Sequence, residues 1–172
     1  MRILLHLPIN HRLRPLYRFL AGLAGLYVLV FGIVGAAVSR GHAFFSRDHI
    51  YALGLRTNLA FSILSIVVGA IVLLGVIIGR NVDQILNLAG GLVFLLAGMF
   101  MLILLQTDLN LLNYTVATSV ASFLIGLVLS TAGLYSRVGS REETEAEERR
   151  RTTTPGVPPT ERTRQAEAAA GR

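Results

Sequence analysis

The chain has 172 residues, 53% of them hydrophobic, a mean hydropathy of +0.60 and a formal net charge of +6, with all 16 basic residues being arginine. That apolar content exceeds what a soluble domain of this length carries and indicates a membrane protein of one domain. The absence of cysteine excludes disulfides, thiolate nucleophiles and Cys-based metal sites, and arginines that flank apolar segments without forming a basic face argue against nucleic acid as a partner.

Residues 1–18 form a basic arm with Arg2, Arg12, Arg14 and Arg18, no acid, and breaks at Pro8 and Pro15. Pro15 suits the first turn of a helix, where its missing N–H costs nothing. The charge-free run 19–38 is the first expected span. A signal peptide is the rival reading, with Gly35 and Ala37 as small residues before a cleavage site. A cleaved apolar region is about 7 to 15 residues long, and three more apolar runs follow, so an uncleaved helix is the better account. In the connection 39–58, Phe44, Phe45, Ile50, Tyr51 and Leu53 predict a short helix lying at the membrane surface.

Residues 59–79 and 85–105 are two apolar runs joined by Arg80, Asn81, Val82, Asp83 and Gln84, and they read as a transmembrane hairpin. No charged side chain lies between Arg56 and Arg80, or between Asp83 and Asp108, so each window exceeds the ~20 residues that cross ~30 Å of hydrocarbon. Of the 21 residues from Leu59 to Gly79, 14 are Leu, Ile, Val or Phe, which favours insertion by several kcal/mol. A lone strand would leave its backbone unpaired in lipid, whereas a helix satisfies it internally. The fourth span is placed at 114–135, where Thr118, Ser119, Ser122, Ser130 and Thr131 can bond to helix carbonyls or to a neighbouring helix. Residues 137–172 turn to Glu, Arg, Thr and Pro and cannot bury a core, so a disordered tail is expected. Within it, Ser140 and Glu143 fit a capping box for a helical extension near 140–151. The fold class is therefore all-α: a polytopic bundle of four transmembrane helices with a disordered C-terminal tail.

Four spans put both termini and the turn near Arg80 on one side. That side collects Arg2, Arg12, Arg14, Arg18, Arg80, Arg137, Arg141, Arg149, Arg150 and Arg151 against Arg40, Arg47 and Arg56 on the other. The excess predicts a plasma-membrane protein with both termini in the cytoplasm.

Small residues recur at helical spacing as Gly75 and Gly79, and as Ser122, Gly126 and Ser130. They predict close backbone approach, either within the bundle or between two copies. Gly22, Gly25, Gly32 and Gly35 suggest a further such surface. Asn87 is the one amide well inside a span, read as a helix-to-helix hydrogen bond or as a solute contact. No Asp, Glu, His or Arg falls inside the four expected spans, which counts against ion-coupled transport. At the outer surface Arg56, Asn58, Asp108 and Asn110 are expected to cluster, with Arg56 and Asp108 at similar height and paired. The histidines His6, His11, His42 and His49 with Asp48 do not supply a converging metal set. No catalytic constellation can be assembled, so neither an enzyme nor a cofactor is expected. The Asn113-Tyr114-Thr115 sequon lies against the membrane edge and is read as accidental.

The segments PINHRLRPLYR, GLRTN, GRNVDQILNL, QTDLNLLNY and SFLIGLVLSTAGLYSRVG, in that order at the helix ends, resemble the domain-of-unknown-function 4383 family of actinobacterial four-helix membrane proteins. The likeness covers about residues 8–139. It implies four spans, no assigned activity and no catalytic residues. Two functions follow as expectations: a structural or accessory protein docking to lipid, other membrane proteins or itself through helix faces, or a small pore or carrier lined by Asn87, Ser122 and Ser130.

Overall fold

The computed structural model describes residues 13–137 and Ala168. Residues Met1–Arg137 and Val138–Arg172 are separate units, and every helix discussed below belongs to the first. The arm before Leu13, with His6 and His11, and the expected disordered tail with its extension at 140–151 lie outside the described residues, Ala168 apart.

Four helices, α1 (Arg14–Val38), α2 (Leu59–Ile78), α3 (Arg80–Leu104) and α4 (Val116–Tyr135), are each long and apolar enough to cross a membrane. Pro15 sits in the first turn of α1 as its chemistry allows. The helices extend beyond the charge-free runs at two ends: α1 begins at Arg14, before the run 19–38, and α3 at Arg80, before the run 85–105, so Arg14, Arg18 and Asp83 are helical residues. A charged side chain does not end a helix, since an arginine stem is apolar and an acid in a first turn is favoured by the macrodipole.

α2 passes directly into α3 through Gly79, whose φ of 67° makes it C-cap of the one and N-cap of the other. A left-handed conformation of this kind suits glycine. Gly79 is thus a turn residue and not part of a packing face, while Gly75 packs under the Leu86 side chain of α3. The connection 39–58 also departs from expectation. In place of a surface helix it holds an antiparallel pair, β1 (Tyr51–Ala52) and β2 (Leu55–Arg56), in the register Tyr51 with Arg56 and Ala52 with Leu55. Leu53 and Gly54, both at positive φ (48° and 82°), make the two-residue turn, the geometry that matches strand twist.

The closest packing is α1 on α2 and α3 on α4, both antiparallel. The reason is backbone approach at small residues. A Cβ on Gly32 would lie 2.6 Å from the Ile66 nitrogen, and one on Gly69 2.5 Å from the Leu29 nitrogen. In the second pair a Cβ on Gly91 would lie 2.5 Å from the Ser130 nitrogen, and one on Gly133 2.6 Å from that of Leu88. Ser122, Gly126 and Ser130 therefore face α3, Gly126 lying against Leu95 and the Gly91 carbonyl.

The two pairs repeat one another. α1 and α3 both have 25 residues, and α2 and α4 both have 20. Aligned end to end, Gly25 and Gly32 fall on Gly91 and Gly98, while Ser62, Ser65 and Gly69 fall on Ser119, Ser122 and Gly126. The contacts follow the alignment. Gly32 meets Ser62 and Ile66 as Gly98 meets Ser119 and Phe123, and Gly69 meets Leu29 and Gly25 as Gly126 meets Leu95 and Gly91. Even the caps agree: Asn58 accepts from the Phe61 amide and Thr115 from the Thr118 amide. The bundle is a tandem of two helical hairpins running in the same direction, a parallel internal repeat of the kind found in membrane proteins.

Candidate functional site

Polar side chains gather at the two ends of the bundle. At the end holding the long connections, three asparagines are buried. Asn58 Oδ1 accepts from the Phe61 amide at 2.9 Å, and its Nδ2 donates to the carbonyls of Leu111 (2.7 Å) and Ser46 (3.2 Å). Asn110 Oδ1 accepts from the Tyr114 amide at 2.8 Å while its Nδ2 donates to the carbonyls of Tyr114 and Leu105. Asn113, at φ 56°, donates from Nδ2 to the carbonyls of Asp48 (2.8 Å) and Thr57 (3.0 Å). These bonds hold the two connections to each other and to α2. Beneath them Phe61 packs edge-on against Phe31 and at a tilt against Tyr114, with ring centroids 5.2 and 4.8 Å apart.

The expected pairing of Arg56 with Asp108 is not what forms. Asp108 is held by Arg47, Nη1 to Oδ1 at 3.1 Å, and Arg47 Nη2 also donates to the Asp108 carbonyl. Arg56 Nη2 donates instead to the Arg47 carbonyl at 3.1 Å. Arg47 precedes the β1–β2 pair, while Arg56 lies within it, paired in register with Tyr51. Both members of the Arg47–Asp108 pair are exposed, so the pair contributes about 0.2 to 1 kcal/mol. Close by, Asp48 Oδ2 accepts from the Ser46 hydroxyl at 2.6 Å and lies 2.9 Å from His42 Nδ1, and these hydrogen bonds hold its carboxyl below the usual range. Among the described residues no group of three or more metal-ligating side chains converges.

The asparagines make Asn58→Ala a sharp test of this end. The substitution removes a helix cap and strands the buried Ser46 carbonyl, at about 1 kcal/mol for the cap and about 1 to 3 kcal/mol for the unsatisfied group, and it also frees the part-buried Leu111 carbonyl. Thermal unfolding in detergent should show a loss of at least 2 kcal/mol. Asp108→Ala should lose less than 1 kcal/mol.

The opposite end is built on α1. Arg18 Nε lies 3.2 Å from Asp83 Oδ2, and its Nη2 donates to the Val76 carbonyl, so the guanidinium lies over Gly79. The Asp83 side chain is 0% exposed and that of Arg18 32%. One turn before, Arg14 Nε donates to the Ser136 carbonyl at 3.0 Å, and the Tyr17 and Tyr135 rings stack at 5.2 Å. One turn after Asp83, Asn87 is 1% exposed and neither amide atom has a hydrogen-bond partner. Sequence reasoning missed this pair because it drew the spans between charges. The available signal was the spacing of Arg14 with Arg18 and of Asp83 with Asn87, each four apart and so on one helix face.

A cavity of about 30 Å³, lined by Tyr27, Phe31, Ser65, Phe94, Thr118 and Ser122 among others, lies between the helices. It has the size of one water molecule. Ser122 borders it and also bonds to the Tyr114 hydroxyl at 3.2 Å, whereas Asn87 and Ser130 do not line it. The three residues expected to line a polar path are thus not brought to one cavity. No family model, no curated protein and no solved structure matches this chain.

Proposed function

We propose that the protein is a structural or accessory component of the plasma membrane, without catalytic chemistry, that engages lipid and other membrane proteins through the outer faces of a closed bundle. The observation that carries this reading is the contrast between inside and outside. Backbone-close crossings at Gly32, Gly69, Gly91 and Gly133 bring the helices together around a cavity of about 30 Å³, while large apolar side chains such as Ile85, Leu92, Leu96, Phe100 and Ile103 of α3 face outward. α3 is the least buried of the four helices. An outward apolar face of this kind is solvated by lipid and leaves α3 the helix with most surface open to a further apolar partner. The arginine asymmetry supports an orientation with both termini in the cytoplasm. The ordered polar segments support membership in the domain-of-unknown-function 4383 family.

The second reading, a pore or carrier for a small polar solute, draws on the buried Asp83 and Asn87, since ionisable residues inside membrane helices often mark solute paths. The two readings separate in one experiment. Purified protein in liposomes should give no solute or ion flux above empty vesicles, and a photo-crosslinker at Leu96 in native membranes should give a discrete protein adduct. Flux through wild-type vesicles that is lost in Asn87→Ala would establish the carrier instead.

A further inference from the structure

Because the bundle is a tandem repeat, each half is a control for the other: a feature that only one half carries is not required by the scaffold. On the outer surface of the α1–α2 half lies a groove of about 450 Å³, whose lining includes Pro15, Arg18, Phe19, Gly22, Leu73 and Val76. Its floor is bare at Gly22, where an added Cβ would meet only the Val76 side chain, at 3.7 Å. In the α3–α4 half the small and large residues are exchanged. Leu88 occupies the position of Gly22, with its backbone against Gly133, which occupies that of Val76. Gln84 occupies the position of Arg18. Arg80 occupies that of Arg14, so the same fold forms with a leucine on the groove floor and without the arginine at the Arg18 position.

We infer that the α1–α2 groove is a binding site for one acyl chain of an anionic phospholipid, whose phosphate-bearing headgroup pairs with Arg18. The groove lining is apolar apart from the arginine. Along α1 it runs from Pro15 to Leu26, about 16 Å at 1.5 Å per residue, which is about half the ~30 Å hydrocarbon thickness, one leaflet. Charge selects the headgroup. Two arginines one turn apart face the single carboxylate of Asp83, and the other acids among the described residues, Asp48 and Asp108, lie at the opposite end. Arg18 spans both environments, one side covering Asp83 and about a third of its side chain exposed. Basic positions between membrane helices bind anionic headgroups by this chemistry.

The inference rests on the membrane reading, which alkaline carbonate extraction checks separately: release of the protein from membranes would sink that reading, and loss of lipid selectivity would not. The full chain in detergent is titrated with phosphatidylglycerol or with phosphatidylcholine of identical acyl chains, and bound lipid and the unfolding midpoint are read by native mass spectrometry and thermal scans. Phosphatidylglycerol should be retained about fivefold more tightly, the share of one arginine near a headgroup. Gly22→Leu, which copies the second half and leaves Arg18 intact, should abolish retention of both lipids. Arg18→Gln with Asp83→Asn, which removes both charges together, should keep the chain but lose most of the selectivity. Equal retention of the two lipids by wild type, undiminished binding in Gly22→Leu, or the same stabilisation by inorganic phosphate alone would each overturn the assignment.

Discussion

Gly69→Leu should destabilise the bundle by about 3 kcal/mol or more, and Gly126→Leu, at the equivalent position of the second hairpin, by less. Overpacking a filled contact costs about 1 to 3 kcal/mol when neighbours can shift, and more when they cannot. At Gly69 the new Cβ would lie 2.5 Å from the Leu29 nitrogen and 2.8 Å from its Cα. Backbone has nowhere to rotate, so α1 and α2 must separate along the crossing. At Gly126 the nearest atom, at 2.8 Å, is Leu95 Cγ, a side-chain atom able to move, and the Gly91 carbonyl follows at 3.0 Å. Leu127→Ile, one residue on and facing outward, should be silent. Thermal unfolding of the three variants in one detergent ranks them. Equal losses at Gly69 and Gly126 would mean that the nearest-atom chemistry does not set the cost, and a large loss at Leu127 would mean that the outer face is packed.

How far such contacts can be read without coordinates depends on the kind of residue. The four apolar runs are legible because twenty uncharged residues admit one solution in lipid. Their ends were not, since the criterion of charge marks the edge of hydrocarbon while α1 and α3 continue through Arg18 and Asp83. The aromatics Phe44, Phe45 and Tyr51 suggest an interfacial helix by composition, but the positive-φ turn at Leu53 and Gly54 depends on tertiary pairing that composition does not carry. Gly75 and Gly79 have the right spacing for a packing face, and yet Gly79 is spent on the turn. The repeat was present in plain view as Ser-x-x-Ser-x-x-x-Gly at 62–69 and again at 119–126. It escapes notice because the recurring residues are the small ones at crossings, while the large outward residues that dominate the sequence are free to differ. Of the candidate site residues, Asn58 and Asn110 do share one end with Asp108, but each asparagine amide is spent on backbone. Height above the turn did not decide which arginine meets Asp108, since Arg47 does so and Arg56 donates to the Arg47 carbonyl.

The second large effect is an asymmetry within the Arg18–Asp83 pair. Arg18→Ala takes from Asp83, fully buried at the start of α3, its direct ion-pair partner and leaves Arg14 as a more distant positive charge. An uncompensated buried charge costs about 3 to 5 kcal/mol. Asp83→Ala leaves Arg18, whose side chain keeps its bond to the Val76 carbonyl and is one-third exposed. A long stem of that kind can turn its head to water, so this loss should be about 1 kcal/mol. Removing both partners deletes the buried charge together with its partner, and the double variant should recover most of what Arg18→Ala lost. The coupling in that cycle should exceed 1 kcal/mol, well above the scatter of about 0.3 to 0.5 kcal/mol seen for independent sites. Tyr17, at the position in the first hairpin equivalent to Asp83, supplies the chemical rescue. Because the same scaffold accommodates an aromatic there, stacked on Tyr135, an apolar Asp83→Phe in the Arg18→Ala background should be at least as stable as the double alanine. Two equal single losses with strict additivity would show that the guanidinium and carboxylate do not meet.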